Sequence, residues 1–216
     1  MTYRSVLKQL SESFRKLMGV VPSHEVHVER DCEELGSSYG AHCFCPVDLK
    51  EDAVVYSFGV GEDISFDLEL IREMGVTVHA FDPTPRAIQF VEEQVLPSQF
   101  CFHEIGLASY DGSASFFCPE NPKHVSHSRI EGSMSSEVGF EAPVFRLKTI
   151  MERFGHRRID LMKMDIEGEE YAVIEDLLDG GIRPSQLLVE FHHQFRNIGR
   201  GPTDRAVERL YDEGYR

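Results

Sequence analysis

The sequence has no apolar run long enough to cross a bilayer, no Cys-x-x-Cys pair and no surplus of positive charge. A membrane-spanning helix takes roughly 18 apolar residues, so no spanning role is expected. The first 20 residues carry Arg4, Lys8, Glu12, Arg15 and Lys16 spread through them, which leaves no apolar signal core. The five cysteines (Cys32, Cys43, Cys45, Cys101 and Cys118) are an odd number. His42-Cys43-Phe44-Cys45 lacks the second spaced pair that a structural zinc site usually needs. Free, reduced thiols in a cytoplasmic protein are therefore expected. Against 37 Asp+Glu stand only 22 Lys+Arg, a net charge of −15. That balance disfavours phosphate backbones and anionic membrane surfaces, both of which need a clustered positive face. The one dense basic cluster, Arg153, His156, Arg157 and Arg158, is short. Neither nucleic acid nor membrane is expected as a partner, and the sequence leaves room for a homodimer.

What is present is ordinary for a globular chain: 216 residues, 41% hydrophobic and 27% charged, enough for one domain with a short appendage. Val6, Leu10, Phe14, Leu17 and Met18 recur at helical spacing, so residues 1–34 read as an N-terminal helical appendage and 35–216 as the domain. Within the domain, strands alternate with helices. Val54–Phe58 is a β-branched and aromatic run that ends in Gly59-Val60-Gly61. Ile64, Leu68 and Ile71 follow at helical spacing, and Gly75 closes that helix. Val76–Phe81 is a second strand, Pro85 opens the next helix, and Phe100–Leu107 is a third strand. Asp111-Gly112 turns into an extra hairpin strand at Ser113–Phe117. Residues 118–143 read as an irregular, substrate-facing loop. Ile159–Ile166 and Gln186–His192 give a fourth and a fifth strand, with helices at Glu169–Leu178 and Thr203–Glu213.

Strands separated by helices imply parallel pairing through right-handed crossovers, and so a doubly wound α/β sheet. Ligands bind such sheets outside the carboxyl ends of the strands, which directs attention to the loops. Gly59 and Gly61 permit a sharp turn and close approach of a ligand. The third glycine of a dinucleotide fingerprint is absent, because Ile64 stands there. Glu62 and Asp63 would repel a pyrophosphate at the helix start, so a cofactor without one fits better. Asp82 closes the second strand about 20 residues further on, placed to accept both hydroxyls of a ribose; its other role would be to cap the next helix.

Lys163, Asp165 and Glu167 alternate with apolar residues across the end of a strand buried on both faces, where polar groups are costly unless paired. Lys163 and Asp165 suit a buried ion pair, Glu167 a helix cap, and Asp165 a place in the site. Glu190 and His192 share one face of the fifth strand. Beside Asp165 they could supply a general base for a hydroxyl or carboxylate and imidazole ligands for a divalent metal. No metal is predicted. His127 lies in the irregular segment and reads as solvent-facing.

Tyr56–Asp67 (YSFGVGEDISFD), His79–Pro85 (HAFDPTP), Leu161–Gly168 (LMKMDIEG) and Val189–His192 (VEFH) together resemble the FkbM-type methyltransferases over about residues 35–215. These are S-adenosylmethionine-dependent enzymes with a Rossmann-like class I sheet. The resemblance implies that Ser57 and the Gly59–Asp63 loop, with Glu62, wrap the methionine part of the cofactor. It implies further that Asp82 with Pro83 holds the ribose, that Gly106 and Leu107 line the adenine, and that Asp165 faces the amino group or the reacting methyl. Ser57 stands where many methyltransferases of this superfamily carry an acidic residue. The implied acceptor is a hydroxyl of a sugar or small natural product, with Asp165, Glu190 and His192 as the catalytic candidates. The chain ends at Tyr211–Arg216, where a sixth strand is due. The sheet is therefore expected to lack its last two strands: either the chain is truncated at its C-terminus, or a partner or a rearranged segment covers the fifth strand. An S-adenosylmethionine-dependent O-methyltransferase is the leading expectation. A catalytically weak cofactor-binding module comes next, and an NAD-dependent dehydrogenase last.

Overall fold

A computed structural model describes residues 28–117, 138–195 and 198–216. The expected N-terminal helix and most of the loop expected at 118–143 lie outside these residues. The framework is a five-stranded parallel sheet. In chain order its strands are β3 (Val54–Phe58), β4 (Thr77–Phe81), β5 (Phe100–His103), β9 (Leu161–Met164) and β10 (Gln186–Val189). Their spatial order is β10-β9-β3-β4-β5. The order reverses between β3 and β9, and the crevice outside their carboxyl ends is where such sheets take ligands.

Helices cover both faces because consecutive residues of each buried strand point to opposite sides. On one face Val55, Val78, Ala80 and Leu161 meet Phe66, Leu70 and Ile71 of α1 (Ser65–Met74) and Val91 of α2 (Pro85–Glu92). On the other, Tyr56, Phe58, Phe81, Met162 and Met164 meet Leu147 and Ile150 of α3 (Leu147–Phe154), Val173, Ile174 and Leu177 of α4 (Glu170–Asp179), and Ala206 of α5 (Arg200–Asp212). Gly75 ends α1 in the left-handed region at φ 69°, its N–H donating to the Ile71 carbonyl, as expected from sequence. Pro85 opens α2, and the Thr84 hydroxyl accepts from Ala87 N–H.

Two smaller sheets are appended. β6 (Gly106–Leu107), β7 (Gly112–Phe117) and β8 (Val138–Phe145) form the first, ordered β6-β8-β7. The expected third strand thus divides: β5 stops at His103, and Gly106-Leu107 pairs with Val144-Phe145 instead. The residues from 138 onward, expected to be irregular, pair antiparallel with β7. Pro143 sits opposite Ser113 in that ladder, and its proline content is what disguised the strand. Helix α3 has no counterpart in the sequence-based reading.

The second small sheet is the hairpin of β1 (Glu33–Leu35) and β2 (His42–Phe44), which straddles the expected boundary at residue 34. Gly36 N–H donates to Glu69 of α1 at 2.8 Å. The Gln186 side chain clasps the Cys45 backbone on both sides, at 2.8 and 2.7 Å. Among the described residues β10 is an edge of the main sheet, and this clasp brings the hairpin against the start of that edge. Of the cysteines described, Cys32 and Cys45 bring their sulfurs to 3.5 Å as free thiols.

Candidate active site

Five loops converge at the carboxyl ends of β3, β4, β5, β9 and β10. Gly59 N–H donates to the Phe81 carbonyl at 2.9 Å, and Asp165 N–H donates to Phe58 at 3.1 Å. Gly59 sits at φ 73°, and a Cβ there would lie 1.6 Å from the Asp165 carbonyl oxygen. Only glycine permits that approach between two strand ends. Gly61 differs. Its φ is 55°, and an added Cβ would meet nothing within 4 Å, so its backbone borders open space.

Asp82 is 4% exposed and braces this loop. One carboxylate oxygen accepts from Gly61 N–H at 2.9 Å; the other accepts from the Thr84 N–H at 2.8 Å and the Thr84 hydroxyl at 2.6 Å. A carboxylate offers about four acceptor positions, so roughly one is left for a ribose hydroxyl. Pro83 lies against Gly106, where an added Cβ would stand 3.3 Å from the proline ring and 3.0 Å from Val144. Both Gly106 and Leu107 are buried.

The acidic residues after the glycines are engaged within the protein. Glu62 pairs with Arg86 of α2 at 2.8 Å. Asp63 accepts from Ser65 N–H at the start of α1 and from the Ser37 hydroxyl of the hairpin loop. Burial works to raise its pKa, but those hydrogen bonds hold it below the usual carboxylate range. Ser57 is fully buried within β3, its hydroxyl toward the buried Asp67 of α1.

Lys163 is buried and donates to the Gly59 carbonyl at 3.1 Å. Among the described residues no carboxylate lies within 4.0 Å of the Lys163 ammonium, so the ion pair expected with Asp165 is not formed, although the Lys163 charge pulls the Asp165 pKa down. Its charge is still felt by Asp67, a fully buried residue of α1 whose pKa burial pushes up while Lys163 pulls it down.

At the ends of β9 and β10 a cluster forms around His192. Glu170, fully buried at the start of α4, accepts from His192 Nδ1 at 2.9 Å and from the N–H groups of Ile166 and Gly168 at 3.0 and 3.1 Å. His192 is thereby held with Nε2 toward Asp165 Oδ1, 3.6 Å away, and Glu167 Oε2, 3.4 Å away. Desolvation raises the Asp165 pKa to about 7; Lys163 opposes this and Glu190 adds to it. Burial alone would lower the His192 pKa, but the Glu170 hydrogen bond and the surrounding carboxylates raise it to about 9. Glu190 is exposed and acts on Asp165 only through its charge.

Of the residues singled out by sequence, the fold therefore brings together Gly59, Gly61, Asp82 and Pro83 with Asp165 and His192. Glu62 and Asp63 adjoin them as braces. Glu167 and Glu170 were not anticipated as members of the cluster. The signal lay in Asp165-x-Glu167-x-x-Glu170: three acids around the exit of a strand that the sheet buries on both faces. His127 lies outside the described residues.

No helix among the described residues is long and apolar enough to cross a membrane. Residues 52–216 match the methyltransferase FkbM domain model. The chain is 26% identical over 160 residues to the human protein named "Probable methyltransferase-like protein 24", covering 73% of this chain and 37% of the human one. The rat protein of the same name is 27% identical over 160 residues, at 73% and 38% coverage. The chain thus spans little more than a third of the length of the curated relatives it matches. No solved structure matches it significantly. A parallel sheet with its glycine loop, acidic strand end and carboxylate–imidazole cluster at the switch point agrees with that match, and the chain belongs to the FkbM methyltransferase domain family.

Proposed function

We propose that the chain is an S-adenosylmethionine-dependent O-methyltransferase acting on a hydroxyl of a sugar or small natural product. The observation that carries the reading is a chain of contacts at the switch point. Gly61 is tied to Asp82, Pro83 abuts Gly106, and Gly59 abuts Asp165, so the loops expected to touch the cofactor adjoin one another at the strand ends. The residues fit such a cofactor. Gly61 faces open space, Asp82 retains an acceptor position for a ribose hydroxyl, and the acids that would repel a pyrophosphate tolerate a cationic sulfonium.

S-adenosylmethionine, when bound, supplies an electrophilic methyl group. The chain's own part is positioning and proton transfer. Backbone at Gly59–Gly61 receives the methionine end, Asp82 and Pro83 the ribose, and Gly106-Leu107 the adenine. Fixing an acceptor oxygen in line with the methyl supplies much of the acceleration in such a transfer. As that oxygen gains the methyl it loses its proton, and Asp165, whose pKa is about 7, stands ready to take it beside the His192 imidazolium. Glu170 keeps the imidazole in place.

Labelled S-adenosylmethionine incubated with a panel of hydroxylated saccharides and natural products tests the reading. Label should enter an acceptor, and His192→Gln should cut turnover about 100-fold, in the range of general acid–base contributions, with cofactor affinity unchanged. Cofactor binding without transfer to any acceptor would favour the catalytically weak module. An acceptor methylated equally by the variant would remove His192 from the mechanism.

A further inference from the structure

We propose that Asp165 Oδ1, Glu167 Oε2 and His192 Nε2 form a binding site for a divalent cation of the Mn²⁺ type, with Glu170 as its outer carboxylate. The three donor atoms lie within 4.8 Å of one another. The imidazole nitrogen stands 3.6 Å from Asp165 and 3.4 Å from Glu167. Both separations exceed the ~2.7–3.2 Å of a hydrogen bond. A cation about 2.1 Å from each donor would set neighbouring donors roughly 3.0–3.5 Å apart, near the two separations from the imidazole.

The imidazole is the observation that separates this from a patch of surface acids. The His192 side chain is 5% exposed, and among the described residues its Nε2 makes no hydrogen bond, although it faces two carboxylates at ion-pair distance. Its other nitrogen is fixed by Glu170, whose side chain is fully buried. A histidine ligand whose second nitrogen is held by a carboxylate is the usual outer arrangement of a metal site. Glu170 Oε2 is likewise buried and, among the described residues, has no hydrogen-bond partner. Charge points the same way, since three buried or half-buried carboxylates surround one imidazole and Glu190 adds a fourth charge nearby. Glu167, which supplies one donor, is the non-glycine residue held at positive φ, 54°, among the described residues. Such strain persists where surrounding structure imposes it and clusters at functional positions.

The donor set is two oxygens and one nitrogen with no sulfur. That mixture suits an oxygen-preferring cation that also accepts imidazole, rather than a thiolate-bound structural zinc. Three protein donors leave coordination positions for water or a substrate oxygen. Here the inference rests on the methyl-transfer reading: an acceptor hydroxyl on the cation would be acidified, with the second Asp165 oxygen free for its proton.

Binding is tested without any acceptor, on the full chain stripped with a chelator. Adding MnCl₂ while following the electron paramagnetic resonance of the free aquo ion should show one equivalent of Mn²⁺ bound. Glu167→Gln should weaken binding at least tenfold; this side chain is 19% exposed, so the variant should keep the wild-type circular dichroism and melting curve. Glu170→Gln should weaken it roughly 10- to 100-fold through the imidazole. A free-ion signal undiminished up to millimolar Mn²⁺, or Glu167→Gln binding as tightly as wild type, would overturn the site. Calorimetry with S-adenosylhomocysteine on the same sample separates the two readings: cofactor binding without Mn²⁺ binding removes the cation site and leaves the methyl-transfer reading standing.

Discussion

At the scale of single residues, Glu170 joins fold to site. Its Oε1 ties the Asp165–Gly168 turn through two backbone N–H groups and holds His192 besides. Hydrogen bonds to a charged group contribute about 1.5–3 kcal/mol each, and a buried partner left unsatisfied is costly. Glu170→Gln should therefore destabilise the protein by about 2–3 kcal/mol in urea denaturation; a loss below about 0.5 kcal/mol would show that the network is not needed for folding. A lone glutamate at a helix start reads in the sequence as a first-turn acid placed for the helix dipole. Full burial could not be read there, because it arises from α4 packing under β9 and β10. Asp82 shows the reverse. Its place at a strand end was legible, and its contacts with Thr84 are local, whereas its use by Gly61 depends on two loops meeting that lie 21 positions apart in the chain.

At the scale of elements, the loop after β3 contains two glycines at positive φ that differ in what surrounds them. Gly59 has the Asp165 carbonyl where a Cβ would go, and Gly61 has open space. A left-handed conformation costs a non-glycine residue about 1–2 kcal/mol. Gly61→Ala should fold with a loss of that size, a Tm lower by roughly 2–8 °C for a chain of this length. Gly59→Ala must in addition displace the end of β9, so it should lose far more or not accumulate as folded protein. Thermal melts of the two variants decide this, and equal melting temperatures would contradict the close approach. The strands flanking this loop were plain in the sequence, because parallel strands buried on both faces are continuous apolar runs. The appended sheet was not: β6 has two residues, and β8 contains a proline and pairs across residues 118–137. Helix α3 was hidden too, because the expected loop was read as running to 143, just before the helix begins.

At the scale of the whole molecule, several histidines are held inside a chain whose net charge is −15. Burial, with like charge from His156 and His103, lowers the His79 pKa to about 4; burial, with Lys163, lowers that of His42 to about 4. A histidine whose folded pKa lies below its unfolded value of about 6.5 is neutral when folded and gains a proton on unfolding. Its contribution to stability is full above pH ~6.5 and is lost as pH falls toward 4. Asp165 and His192, whose pKa values are raised on folding, act in the opposite sense, so the test is the difference between wild type and His79→Gln: in urea denaturation at pH 7.5, 6 and 5 the wild type should lose stability relative to the variant as pH falls. A difference that does not change with pH would mean that His79 titrates normally.

The central claim is that the crevice between Gly59–Asp63, Asp82 and Asp165 receives a methyl donor. Calorimetric titration of the full chain with S-adenosylhomocysteine, with NAD⁺ as control, tests it most directly. Micromolar, 1:1 binding of S-adenosylhomocysteine alone is the predicted result, and it should be lost in Asp82→Ala. Binding of NAD⁺ alone, or of neither compound, would contradict it.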